Sequence, residues 1–105
     1  MQPNTDLLEE LKNRILNVTN PVKIILFGSA ARGDMKPDSD IDILVVLQDD
    51  IDCGQVLRKI YRNMIGLKAA VDVIAINESN LNLYGNEYGM VYYSAQKEGR
   101  EIYAA

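Results

Sequence analysis

The sequence predicts a single α/β (α+β) domain over residues 1–105, a small mixed β-sheet with helices packed on it. Three observations lead there. A chain of 105 residues that is 48% hydrophobic can build one core but not two. Three short apolar runs rich in β-branched residues are separated by stretches with helical periodicity. No internal repeat and no low-complexity tract interrupts that order.

The elements follow in turn. Residues 5–17 read as an amphipathic helix, capped by Thr5 or Asp6, with Leu7, Leu8, Leu11 and Ile15 on one face. The turn-forming residues Asn17, Thr19, Asn20 and Pro21 stop it. Residues 22–27 form a buried strand that ends at Gly28-Ser29. A short helix follows from Ser29 to Arg32, closed by Gly33, and residues 34–39 make a loop.

Residues 40–47 are the second strand. Ile41, Ile43, Val45 and Leu47 face one side; Asp40, Asp42, Leu44 and Val46 face the other. Both faces turn apolar after Asp42, as in a central strand covered on both sides. Residues 53–65 are helical, with Val56, Leu57, Ile60, Tyr61 and Met64 as the apolar stripe and Gly66 as the stop. Residues 69–76 are a third strand carrying one acid, Asp72. Residues 78–98 are mostly helical with a break near Gly85 or Gly89, and Ile102-Tyr103 form a short terminal strand.

Composition narrows the chemistry. The chain has no histidine and a single cysteine, Cys53. That excludes an internal disulfide, thiolate zinc sites, and Ser-His or Cys-His nucleophilic catalysis. Carboxylate chemistry remains, and it pairs with hard cations such as Mg2+. The net charge is −4, whereas nonspecific nucleic-acid binders are usually basic. No direct nucleic-acid binding is expected; a nucleotide or another protein suits the charge better. No run of about 18 apolar residues exists, so no membrane span is expected. The N-terminus lacks a basic, then apolar, signal stretch, so the expected location is cytoplasmic.

The informative residues are Phe27-Gly28-Ser29-Ala30-Ala31-Arg32-Gly33 and Ser39-Asp40-Ile41-Asp42-Ile43-Leu44-Val45. Gly28 lets a phosphate approach the backbone closely. Free N–H groups at a helix start and the Ser29 hydroxyl are donors for phosphate oxygens. Arg32, one turn on, reads either as a forked phosphate contact or as a solvated helix residue. Asp40 and Asp42 leave the same strand face with Cα atoms roughly 6.5–7 Å apart. At that spacing two carboxylates can share one metal or bridge two ions. Asp72 interrupts another apolar strand in the same manner; its alternative reading is a strand-edge acid paired with Lys or Arg. Unpaired carboxylates beside isoleucine and valine are costly to desolvate, and a divalent ion relieves that cost.

Gly-Ser, ten residues, then Asp-x-Asp resembles the signature of the DNA polymerase beta-like nucleotidyltransferase superfamily. Ala31-Arg32-Gly33, Ser39-Asp40-Ile41-Asp42, residues 68–74 around Asp72, and residues 98–103 resemble its minimal nucleotidyltransferase branch. Members of that branch are often antitoxins of HEPN ribonuclease toxins. The resemblance implies the polymerase beta-like fold and AMP transfer from ATP to a hydroxyl of a partner protein, a tyrosine of a HEPN toxin. It implies catalytic and metal-binding roles for Asp40, Asp42 and Asp72, holding two Mg2+ ions. It implies nucleotide binding by Gly28, Ser29, Arg32 and Ser39. A domain this short leaves little room for acceptor binding, so the acceptor is expected on another chain. Two other functions stay open: an antitoxin that neutralises by contact alone, and transfer to a small-molecule hydroxyl. Homo- and hetero-oligomers are both compatible with the sequence.

Other features have plainer readings. Asp49-Asp50-Ile51-Asp52 is a solvated turn and helix cap. Gly28 and Gly33 have P-loop spacing, but Asp34-Met35 stand where its Lys and Ser/Thr belong. Tyr84, Tyr88 and Tyr92 recur at helical spacing, as core packing or as a partner-binding stripe. Arg58, Lys59 and Arg62 read as the wet face of a helix.

Overall fold

The computed structural model describes residues 5–33, 40–84 and 91–105. Its elements are α1 (Thr5–Leu16), β1 (Lys23–Phe27), α2 (Gly28–Arg32), β2 (Ile41–Leu47), α3 (Cys53–Arg62), β3 (Val71–Asn77), α4 (Glu78–Tyr84), α5 (Val91–Glu98) and β4 (Arg100–Ala104). The strands form one mixed sheet in the order β3-β2-β1-β4. β1 runs antiparallel to β2 and β4, whereas β2 and β3 are parallel. The parallel pair needs a crossover, and α3 supplies it.

The alternation in β2 divides the molecule into two cores. Ile41, Ile43, Val45 and Leu47 pack on one face with Leu11 and Ile15 of α1 and Val56 and Ile60 of α3. Leu44 and Val46 pack on the other with Ile25, Phe27, Ile76, Leu81 of α4 and Ala95 of α5. Helices therefore cover both faces, and β2 is buried from Ile43 onward on both sides. This is why the strand reads as a continuous apolar run after Asp42.

Local chemistry sets the element ends. Gly33 (φ 83°) and Gly66 (φ 91°) adopt left-handed backbone just after α2 and a few residues beyond α3. The acid cluster between β2 and α3 does cap helices. Asp52 accepts a hydrogen bond from the Gln55 N–H at the start of α3, and Asp49 accepts one from the Ser79 N–H in α4. The Asn77 amide ties the same turn to the end of β3 by donating to the carbonyls of Gln48 and Ile51. α3 ends at Arg62, three residues earlier than its periodicity predicts. There the Arg14 guanidinium of α1 binds the carbonyls of Asn63 and Ile65, and Asn63 donates back to Arg14. Those tertiary bonds satisfy backbone groups that a longer helix would have used itself.

The loop 34–39, the expected break at Gly85 or Gly89, and Tyr88 lie outside the described residues. No helix among the described residues is long and apolar enough to cross a membrane.

Candidate active site

The site is built where β1 ends and β2 and β3 begin. Because β1 is antiparallel to β2, its last residue lies beside the start of β2: Phe27 pairs with Asp42. Because β3 is parallel to β2, the third acid arrives at the same level: Asp42 pairs with Asp72. Facing residues on adjacent strands are about 4.8 Å apart and share a face. Asp42 and Asp72 therefore stand side by side, on the face that carries Phe27, Leu44 and Ile76. Asp40, two residues before Asp42, comes to the same end of the sheet. Asp40 and Asp72 are exposed; Asp42 is half-buried.

The crowding shows in the electrostatics. Burial pushes the Asp42 carboxyl above the usual range, and the charges of Asp72 and then Asp40 push it further the same way. The nearby Arg32 guanidinium acts in the opposite direction.

Gly28 is fitted to Asp42. Its φ is 70°, a conformation that side chains disfavour, and a Cβ there would collide with Asp42 Oδ2. The missing side chain is thus the space the carboxylate occupies. α2 begins directly at Gly28, and its extended N-cap residue, Phe27, makes no side-chain capping bond. The helix thus starts against Asp42, and its first-turn N–H groups have no capping side chain.

Arg32 links α2 to α5. Its guanidinium donates to Glu98 Oε2 of α5 at 3.2 Å, and both side chains are about half exposed. Sequence periodicity did not single out Glu98. Ser39 lies outside the described residues.

Tyr61 was also missed, for a different reason. The helical period assigns it to the buried stripe of α3, yet it is 41% exposed. Its hydroxyl reaches the outer edge of β3. The Val73 N–H donates to Tyr61 Oη at 2.8 Å, and that hydroxyl lies 3.4 Å from Asp72 Oδ1 and 3.3 Å from the Val73 carbonyl. No pattern within one element could have placed a helix residue on a neighbouring strand's backbone.

Among the described residues, no three His, Cys, Asp or Glu side chains are drawn together closely enough to grip an ion as they stand. The donor chemistry nevertheless suits Mg2+. The three acids offer only hard oxygen ligands, and their mutual repulsion at Asp42 is what a divalent charge removes.

The chain is similar to known proteins over most of its length. The family model described as polymerase beta, nucleotidyltransferase, matches residues 9–104. A protein of Methanocaldococcus jannaschii, provisionally named a protein adenylyltransferase, is 40% identical over 82 residues, covering 77% of each chain. A provisionally assigned nucleotidyltransferase from Sulfolobus solfataricus superposes with a TM-score of 0.64 at 24% identity, over 94% of this chain and 78% of that one. A toxin–antitoxin structure with AMP-PNP superposes with a TM-score of 0.59 at 20% identity, over 98% of this chain and 75% of that one.

Proposed function

From the premise that this chain belongs to the polymerase beta nucleotidyltransferase family, and is a nucleotidyltransferase, we propose that it moves AMP from ATP to a tyrosine hydroxyl of a HEPN ribonuclease toxin, with Mg2+, and so acts as the antitoxin. The observation that carries this reading is the in-register pair Asp42 and Asp72, with Gly28 shaped to the Asp42 carboxylate. The adenylyltransferase name of the Methanocaldococcus relative supports AMP transfer to protein. The fold shared with a toxin–antitoxin structure holding AMP-PNP is consistent with the partner and the nucleotide.

In this mechanism the chain's own groups divide the work. The backbone N–H groups at Gly28 and Ser29 and the Ser29 hydroxyl donate to oxygens of the triphosphate. Arg32 adds a forked contact to a phosphate, and Ser39 adds a hydroxyl before the acid pair. Asp40 and Asp42, with Asp72, would hold Mg2+; when bound, it neutralises phosphate charge and lowers the pKa of the attacking hydroxyl. Asp72 takes the proton of the acceptor hydroxyl. The hydroxyl oxygen bonds to the α-phosphorus, the bond from that phosphorus to the bridging oxygen breaks, and pyrophosphate leaves. A bulky anion added beside an RNA-cleaving centre would repel the RNA backbone.

The test uses ATP labelled at the α-phosphate. Label is expected on the cognate partner in the presence of Mg2+, and on an acceptor tyrosine by peptide mass spectrometry. The Asp40→Asn/Asp42→Asn protein is expected to transfer none. Equal labelling by that double variant would remove the carboxylates from the mechanism.

A further inference from the structure

The proposed reaction leaves one cluster unexplained: the phenol of Tyr61 set against the edge of β3 beside Asp72. Among the described residues β3 is an outer strand partnered by β2 alone, so its other side carries backbone groups that no described strand satisfies. The Val73 N–H is one of them, and it donates to Tyr61 Oη at 2.8 Å. That bond occupies one lone pair of the phenol and fixes where the ring ends. The hydroxyl has a single proton and two acceptors within reach, Asp72 Oδ1 at 3.4 Å and the Val73 carbonyl at 3.3 Å. The distances do not decide between them. Charge does, because a hydrogen bond to an ionised acceptor is about twice as strong as one to a neutral carbonyl.

Asp72 needs such a contact. It is exposed, it lies on an edge strand, and the neighbouring carboxylate in register, Asp42, repels it. Among the described residues Tyr61 is its one hydrogen-bond donor. Unrestrained, a short carboxylate in that position would turn out toward water.

We propose that Tyr61 is a positioning residue for Asp72: its hydroxyl holds one carboxylate oxygen at the sheet edge and leaves the other for the acceptor hydroxyl. The role rests on the transfer reaction proposed above and adds to it the group that aims the acid on the acceptor side. Tyr61 touches neither nucleotide nor phosphate in this scheme, so its loss acts on turnover rather than on nucleotide binding.

Two variants separate aiming from structure. Tyr61→Phe removes the oxygen altogether. Tyr61→O-methyltyrosine keeps an oxygen to accept from the Val73 N–H but has no proton to give Asp72. Both are compared with the wild-type protein in single-turnover and steady-state AMP transfer to the cognate partner, alone and combined with Asp72→Asn. The expected result is a kcat about tenfold lower in both, the usual scale for losing a bond that orients a ligand or catalytic group. KM for ATP stays unchanged, and neither variant lowers kcat further once Asp72 is Asn. Wild-type turnover in the O-methyltyrosine protein overturns the proposal while leaving the transfer reaction standing. So does an equal further loss in the Asp72→Asn background. Loss of fold in both variants makes Tyr61 a structural residue only, which also overturns it. A wild-type protein that transfers no AMP sinks the reaction itself and the role with it.

Discussion

Asp42 and Asp72 occupy facing positions on two parallel strands, although thirty residues and a helix separate them along the chain. Their juxtaposition makes two carboxylates into one site. Neither is masked by a salt bridge among the described residues, and burial first, then the charge of Asp72, raises the cost of charging Asp42. Such an arrangement destabilises the free protein and is relieved by a cation, which links ligand binding directly to stability.

The Asp42 carboxyl gives that link a pH signature. Its folded pKa lies above its unfolded one, so between the two values the native state holds more protons. Stability of the metal-free protein therefore falls as pH rises through that window, and stays lowered above it. Asp42→Asn removes the cost. At neutral pH without divalent ions, the variant is expected to melt at a higher temperature than wild type. The advantage should shrink as pH falls and vanish below about pH 3, where the wild-type carboxyl is protonated in both states. Added Mg2+ and ATP should then stabilise wild type and leave the variant unmoved. Thermal melts across pH, with and without Mg-ATP, measure all three.

Gly28 tests the close approach under Asp42. In Gly28→Ala the new Cβ meets the Asp42 carboxylate, and the φ of 70° disfavours any side chain. A stability loss of about 1 kcal/mol or more is expected from the backbone alone. Transfer should fall by far more than that loss explains, because Asp42 must move to make room. Denaturation midpoints compared with kcat/KM separate the two effects. Activity falling only in proportion to the unfolded fraction would show that Gly28 matters for folding and not for the site.

The Arg32–Glu98 ion pair offers a test of the proposed phosphate contact. The pair is half exposed, so Glu98→Gln is expected to change stability by less than about 1 kcal/mol. It also releases the guanidinium from a competing carboxylate, so the KM for ATP should stay level or fall. Arg32→Ala should raise that KM by roughly tenfold, the scale of one charge-assisted bond to phosphate. A KM that ignores both changes would leave Arg32 as a surface contact between α2 and α5.

The sequence by itself determined what depends on neighbours along the chain. Alternation in β2 put Ile41 and Ile43 opposite Asp40 and Asp42, and the two cores divide along that line. The punctuation by Gly33, Gly66 and Asp52 is equally local, since φ preference and capping act within a turn. The spacing from Gly28-Ser29 to Asp40 and Asp42 was readable for the same reason. The tertiary structure alone decided what depends on register and packing between elements. Nothing in the order of residues says that Asp72 pairs with Asp42, that Asp42 fills the space over Gly28, or that Glu98 meets Arg32. Tyr61 marks the limit most clearly. Its helical period points to the core, but the Val73 N–H that its hydroxyl accepts lies on the edge of β3, and an amphipathic side chain goes where its hydroxyl finds a partner.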